Sequence, residues 1–99
     1  MTKIAVLAGS TREGSFNRAL AFVAARALEA RGAEVTLVDL AAYDLPLYSA
    51  ALEVNAFPED ARRLKQMLAA QAGLMVVTPE YNGSIPPLLK NAIDWASRP

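Results

Sequence analysis

The sequence predicts an α/β fold built on a parallel sheet, and three observations carry that reading. Two near-continuous apolar runs, Lys3–Ala8 and Leu74–Val77, lack the alternation of a half-solvated strand and read as buried on both faces. Segments of helical period separate and follow them, so the order is β-α-β-α-β-α. Each of the two runs opens into a loop rich in Gly, Ser, Thr, Asn or Pro, as expected where a strand hands over to a helix.

Taken in order, the first strand is Lys3–Ala8. A helix is predicted from Phe16 to Arg31, with Leu20, Val23, Ala24, Ala27 and Leu28 on its inner face. Ser15 suits its N-cap and Gly32 its C′ position. Glu34–Leu40 is the second strand, with Glu34 and Thr36 marking an edge position. Residues 41–57 show no steady period and read as a surface excursion packed by Leu45, Leu47 and Tyr48. Pro58, Glu59 and Asp60 open a second helix with proline in the first turn and acids facing the dipole. Its core face is Ala61, Leu64, Leu68 and Ala72, and Gly73 ends it. The third strand, Leu74–Thr78, leads through residues 79–84 into a third helix, Pro86–Ala96, with Leu89, Ala92, Ile93 and Ala96 on one stripe.

The 99 residues make one domain with 54% hydrophobic and 20% charged residues, a globular balance. The formal net charge is zero, which leaves no basic field to gather nucleic acid or anionic lipid. No apolar run approaches the roughly 20 residues that span a bilayer, and the cytoplasm is the expected compartment. The chain has no Cys and no His, which excludes disulfides, thiolate nucleophiles and the commonest metal ligands and general bases. The crossovers should be right-handed, and the strand order expected is 2-1-3. That order puts the third strand at an edge although its composition is that of a central strand. The expectation is therefore a chain that forms the N-terminal portion of a larger domain, truncated before a fourth and fifth strand, or one that completes its sheet with another chain.

In a 2-1-3 sheet the loops after the first and third strands share the crevice at the topological switch point. The first loop, Gly9-Ser10-Thr11-Arg12-Glu13-Gly14-Ser15-Phe16-Asn17, combines a helix N-terminus with neutral donors and one guanidinium. Such a set suits a phosphate. It is neither a P-loop, since no Lys follows Gly14, nor a dinucleotide fingerprint, since the intermediate glycine is missing. Without Cys it is no phosphatase loop. On its own it is equally an ordinary turn of small polar residues. The second loop, Pro79-Glu80-Tyr81-Asn82-Gly83-Ser84, offers an aromatic face, amide donors and the Asn82 side chain to a flat, polar-edged ring. A phosphorylated planar cofactor suits both loops together, and FMN is the natural candidate.

These two loops, with Leu89-Lys90-Asn91-Ala92-Ile93-Asp94-Trp95 after them, resemble the N-terminal half of the NADPH-dependent FMN reductase family, the flavodoxin-like quinone, chromate and azo-dye reductases. The resemblance spans essentially the whole chain. It implies a flavodoxin-like fold and an FMN-dependent oxidoreductase. NADPH or NADH would be the donor, and quinones, azo compounds, free flavin or metal oxyanions the acceptors. It implies that Ser10, Arg12, Ser15, Phe16 and Asn17 hold the FMN phosphate. Pro79, Glu80, Tyr81, Asn82, Gly83 and Ser84 would line the isoalloxazine and ribityl, with the amides of Asn82 and Gly83 as donors to the ring. Lys90, Asn91 and Trp95 would fix the third helix beneath that loop, and Asp94 would pair with a basic residue. No catalytic side chain and no metal are expected, because the cofactor carries the chemistry. The likeness also implies a homo-oligomer with a small-molecule electron acceptor, while the zero net charge and the lack of a long apolar run argue against a nucleic-acid or membrane partner. The alternative is a non-catalytic half-domain that binds flavin or phosphate and requires a partner chain.

Overall fold

The computed structural model describes residues 1–10 and 15–99. Its strands are β1 (Lys3–Ala8), β2 (Glu34–Val38) and β3 (Gly73–Val77), and its helices are α1 (Phe16–Ala30), α2 (Ala50–Asn55), α3 (Glu59–Ala69) and α4 (Pro87–Ala96). The sheet is parallel in the order β2-β1-β3, the flavodoxin-like arrangement expected. Lys3 to Leu7 pair with Glu34 to Val38 on one side of β1, and Ile4 to Ala8 pair with Gly73 to Val77 on the other.

β1 is buried on both faces because its side chains alternate between two helical layers. Val6 and Ala8 pack with Ala21 and Ala25 of α1. Ala5 and Leu7 face the other way, into a cluster with Val38, Leu40, Leu64 of α3, and Leu89 and Ala92 of α4. Trp95 of α4 is fully buried.

The predicted α1 face needs correction. Leu20 and Val23 are exposed, and the small side chains Ala21 and Ala25 meet the sheet instead. Two alanines let the helix lie close to β1, and the larger residues turn outward. Ile93 is likewise exposed rather than core, and Ala72 lies beyond the end of α3 and is exposed. Leu74, Met75 and Val76 of β3 are accessible, as befits an edge strand of apolar composition. No helix among the described residues is long and apolar enough to cross a membrane.

The excursion between β2 and α3 is ordered by α4. A single 3-10 turn, Leu40–Ala42, begins it, capped by Asp39. Further on, the Pro46 carbonyl accepts hydrogen bonds from Trp95 Nε1 at 2.7 Å and from Asn91 Nδ2 at 3.0 Å. Asn91 Oδ1 accepts from the Tyr48 amide at 2.8 Å. Tyr48 and Phe57 meet the Trp95 ring edge-on, with centroids 4.9 and 5.4 Å apart. Asn91 and Trp95 are thus structural, as expected, but they hold residues 46–48 rather than the 79–84 loop. Leu45 packs on the core, whereas Leu47 is 83% exposed, contrary to its expected packing role. α2, capped by Ser49, is too short to show a period in the sequence.

Candidate functional site

Both polar loops leave the carboxyl ends of adjacent strands, and the main chain ties them together there. The Gly9 amide donates to the Val77 carbonyl at 2.7 Å, extending the β1–β3 ladder by one bond past Ala8. A Cβ on Gly9 would lie 2.7 Å from Thr78 Oγ1, 2.9 Å from Thr78 Cβ and 3.0 Å from Leu89 Cδ2. Only glycine allows the first loop to start this close to the second. Gly9 and Thr78 are the residues that sequence reasoning passed over. The available signal was a glycine immediately after a central strand.

In the first loop, Ser10 and Ser15 are both buried despite their hydroxyls. Ser15 caps α1: its Oγ accepts from the Arg18 amide at 3.4 Å, and its carbonyl accepts from the Ala19 amide at 3.2 Å. Phe16 opens the helix and is 84% exposed, and Asn17 is half-buried behind it. Arg18 forms an ion pair with Asp39 at 3.6 Å, joining the start of α1 to the end of β2. Arg12, the cation expected to grip phosphate, lies outside the described residues, as do Thr11, Glu13 and Gly14. The α1 N-terminus carries the first-turn backbone amides and the positive end of the helix dipole, which suits an anion.

The second loop is a locked turn. Thr78 Oγ1 donates to the Pro79 carbonyl at 2.9 Å. The Tyr81 amide donates to the Ser84 carbonyl at 2.8 Å, and the Ser84 amide returns a bond to Tyr81 at 3.0 Å. Between them Asn82 and Gly83 both take positive φ, 53° and 80°, the pattern of a type I′ Asn-Gly turn. The Gly83 amide donates to Glu80 Oε2 at 3.0 Å. Tyr81 keeps 49% of its surface accessible. Past Ser84, Ile85 packs on the core, Pro86 is buried, and Pro87 starts α4 at a position that needs no amide donor. Lys90 reaches Asp94 at 2.7 Å within α4, which supplies the basic partner left unnamed for Asp94.

Thus Ser10, Ser15, Phe16 and Asn17 sit at the end of β1 and the head of α1, while Pro79 to Ser84 sit at the end of the neighbouring β3. The arrangement gives a helix N-terminus for an anion beside a turn with an accessible aromatic ring and amide donors for a planar group. The glycine-bearing turn and small polar side chains leave room for backbone approach.

Comparison with known proteins points the same way. The family model for NADPH-dependent FMN reductase matches residues 2–99. A 2-hydroxy-1,4-benzoquinone reductase of Burkholderia sp is 50% identical over 97 residues, which span 98% of this chain and 51% of that protein. An NAD(P)H-dependent FMN reductase of Pseudomonas aeruginosa is 40% identical, with 98% and 51% covered. Among solved structures, the flavoenzyme NAD(P)H:(acceptor) oxidoreductase FerB of Paracoccus denitrificans superposes with a TM-score of 0.84 at 40% identity, covering 100% of this chain and 52% of FerB. The chain spans about half the length of the curated relatives it matches.

Proposed function

Because this chain belongs to the NADPH-dependent FMN reductase family, we propose that it holds FMN across the loops that follow β1 and β3. On this reading it serves an NAD(P)H-dependent oxidoreductase acting on quinones, azo compounds, free flavin or metal oxyanions. The observation that carries the reading is the Gly9–Val77 hydrogen bond of 2.7 Å, which sets the two loops side by side. The names of the relatives, benzoquinone reductase and FMN reductase, support the same class of activity.

The donor set fits the cofactor. Ser10, Ser15, Phe16 and Asn17 lie at the end of β1 and the head of α1, where helix amides favour a phosphate dianion, and Arg12 of the same loop would add a guanidinium to grip it. Pro79, Glu80, Tyr81, Asn82, Gly83 and Ser84 form the flat-ring side, with Tyr81 flanking the ring and the turn supplying amide donors to its acceptor edge. FMN, when bound, supplies the two-electron chemistry, which matches a chain without His or Cys. The part played by these residues is to orient the ring, exclude water from one face, and hold donors where negative charge develops.

On this reading the nicotinamide donor supports a cytoplasmic location, where such donors are abundant. The exposed Phe16, Leu20 and Val23 of α1, together with the apolar β3 edge, support assembly with further protein surface, as in a homo-oligomer.

The test is an FMN titration of the chain followed by flavin fluorescence, with NADPH and NADH oxidation assayed in the same tubes with a quinone acceptor. Saturable binding with turnover is expected of a complete site. Binding without turnover would favour the flavin-binding half-domain that needs a partner chain. No binding at concentrations where the chain is folded would contradict the assignment.

A further inference from the structure

The backbone donors of the second loop can be accounted for one by one. Tyr81 and Ser84 exchange theirs across the turn, at 2.8 and 3.0 Å. Pro79 has none. An Asn-Gly turn normally leaves the amides of both central residues pointing to solvent. Here one of them is taken: Gly83 N–H donates to the Glu80 carboxylate at 3.0 Å. Among the described residues, Asn82 N–H has no acceptor, and it sits at the tip of the turn with φ 53°.

We propose that Glu80 is a positioning residue. Its carboxylate claims the Gly83 amide, so that the turn presents one central donor, Asn82 N–H, to the acceptor edge of a bound flavin. The inference rests on the FMN reading above and refines it, because the amides of Asn82 and Gly83 are then not equivalent. A carboxylate acceptor gives a charge-assisted bond, stronger than one to a neutral oxygen. It offsets part of the cost of holding Asn82 in the left-handed region. The result is a donor fixed before the ligand arrives, so less ordering remains to be done on binding. Two loose amides at the tip would allow the ring to sit in more than one register.

The test uses the 15N-labelled 99-residue chain and its Glu80→Ala and Glu80→Gln variants. Amide proton shifts and their temperature coefficients are read first without ligand, then during titration with FMN and with riboflavin. Glu80 is exposed, so neither substitution disturbs the core. In the wild type the Gly83 amide should show the small temperature coefficient of a bonded proton. It should keep that value in Glu80→Gln, whose side-chain oxygen still accepts, and lose it in Glu80→Ala. On addition of flavin the Asn82 amide should move most and the Gly83 amide least. Glu80→Ala should weaken FMN and riboflavin alike by about five- to tenfold, and Glu80→Gln should restore affinity to within about twofold of wild type. A Gly83 amide indifferent to Glu80, or one that shifts with flavin as much as Asn82, overturns the positioning role while leaving FMN binding intact. Failure of the glutamine variant to restore affinity overturns it as well. A wild-type chain with the Gly83 bond in place but no flavin binding overturns the FMN reading itself, and the role of Glu80 with it.

Discussion

Gly9 and Thr78 meet at the carboxyl ends of neighbouring parallel strands, so closely that a Cβ on Gly9 would lie 2.7 Å from Thr78 Oγ1. The contact fixes the separation of the two loops more tightly than either loop sequence does. It sets the two loops at the switch point between β1 and β3, where the proposed site lies.

Gly9→Ala should therefore be costly although Gly9 needs no positive φ. Its Cβ would press on Thr78 and on Leu89, which is itself buried. Overpacking of this kind costs about 1–3 kcal/mol. Urea denaturation should show the midpoint falling with little change in slope. Flavin affinity, measured on folded protein, should fall as well, because the loops are pushed apart.

Asn91 should matter for stability more than its half-exposed position implies. It bonds the Pro46 carbonyl and the Tyr48 amide together. Asn91→Ala leaves the Tyr48 amide without its acceptor, a loss of about 1–3 kcal/mol. Asn91→Asp keeps the acceptor for the Tyr48 amide but turns a carboxylate oxygen toward the Pro46 carbonyl, so the Tyr48 amide should stay better protected than in Asn91→Ala although the midpoint still falls. Urea midpoints for the two variants, with hydrogen exchange at the Tyr48 amide, test the order.

Stability should fall in acid through two identifiable carboxylates. Glu53 is held below the ordinary carboxylate range by the hydrogen bond that the Tyr48 hydroxyl donates to it, with help from Arg98. The Arg98 Nε lies 3.2 Å from Glu53 as an ion pair rather than an aligned hydrogen bond. Asp60 is held down by the Asp44 amide at 2.6 Å and by Arg63. A carboxyl with a depressed folded pKa adds stability above its unfolded value, and that stability is lost as pH falls through the folded value. The urea midpoint should therefore be steady near neutrality and decline below about pH 4. Glu53→Gln and Asp60→Asn should each flatten the decline. Tyr48 acts in the opposite direction: its bond to Glu53 raises its pKa. Its contribution is present below about pH 10 and is lost as pH rises through the folded value.

Ser15→Ala should remove the cap of α1 at a cost of about 1 kcal/mol. Because the same hydroxyl stands at the proposed phosphate end, FMN affinity should drop more than riboflavin affinity. Parallel thermal melts and fluorescence titrations separate the two effects.

Much of this architecture is readable from residue pattern. The unbroken apolar run of β1 required two covering layers, and Val6 and Leu7 do point to opposite ones. Ser15 and Gly32 marked the ends of α1 through capping chemistry. The inner face of α1 was misjudged because hydrophobicity ranks Leu20 and Val23 above Ala21 and Ala25, whereas the sheet selects small side chains for close approach. The two loops of the proposed site were legible as neighbours, because the strand order 2-1-3 puts them at the ends of adjacent strands. The contacts that organise the site were not. Gly9 against Thr78 and Glu80 on Gly83 depend on side-chain placement, and the Trp95 and Asn91 bonds to Pro46 join residues more than forty positions apart.

The most direct test of a shared FMN site is the ratio of FMN to riboflavin affinity in wild-type chain and in Arg12→Ala. If the first loop binds phosphate while the second binds the ring, Arg12→Ala weakens FMN by about tenfold or more and leaves riboflavin within about twofold of wild type. Equal losses for the two ligands, or none for either, would contradict the division of the site between the loops.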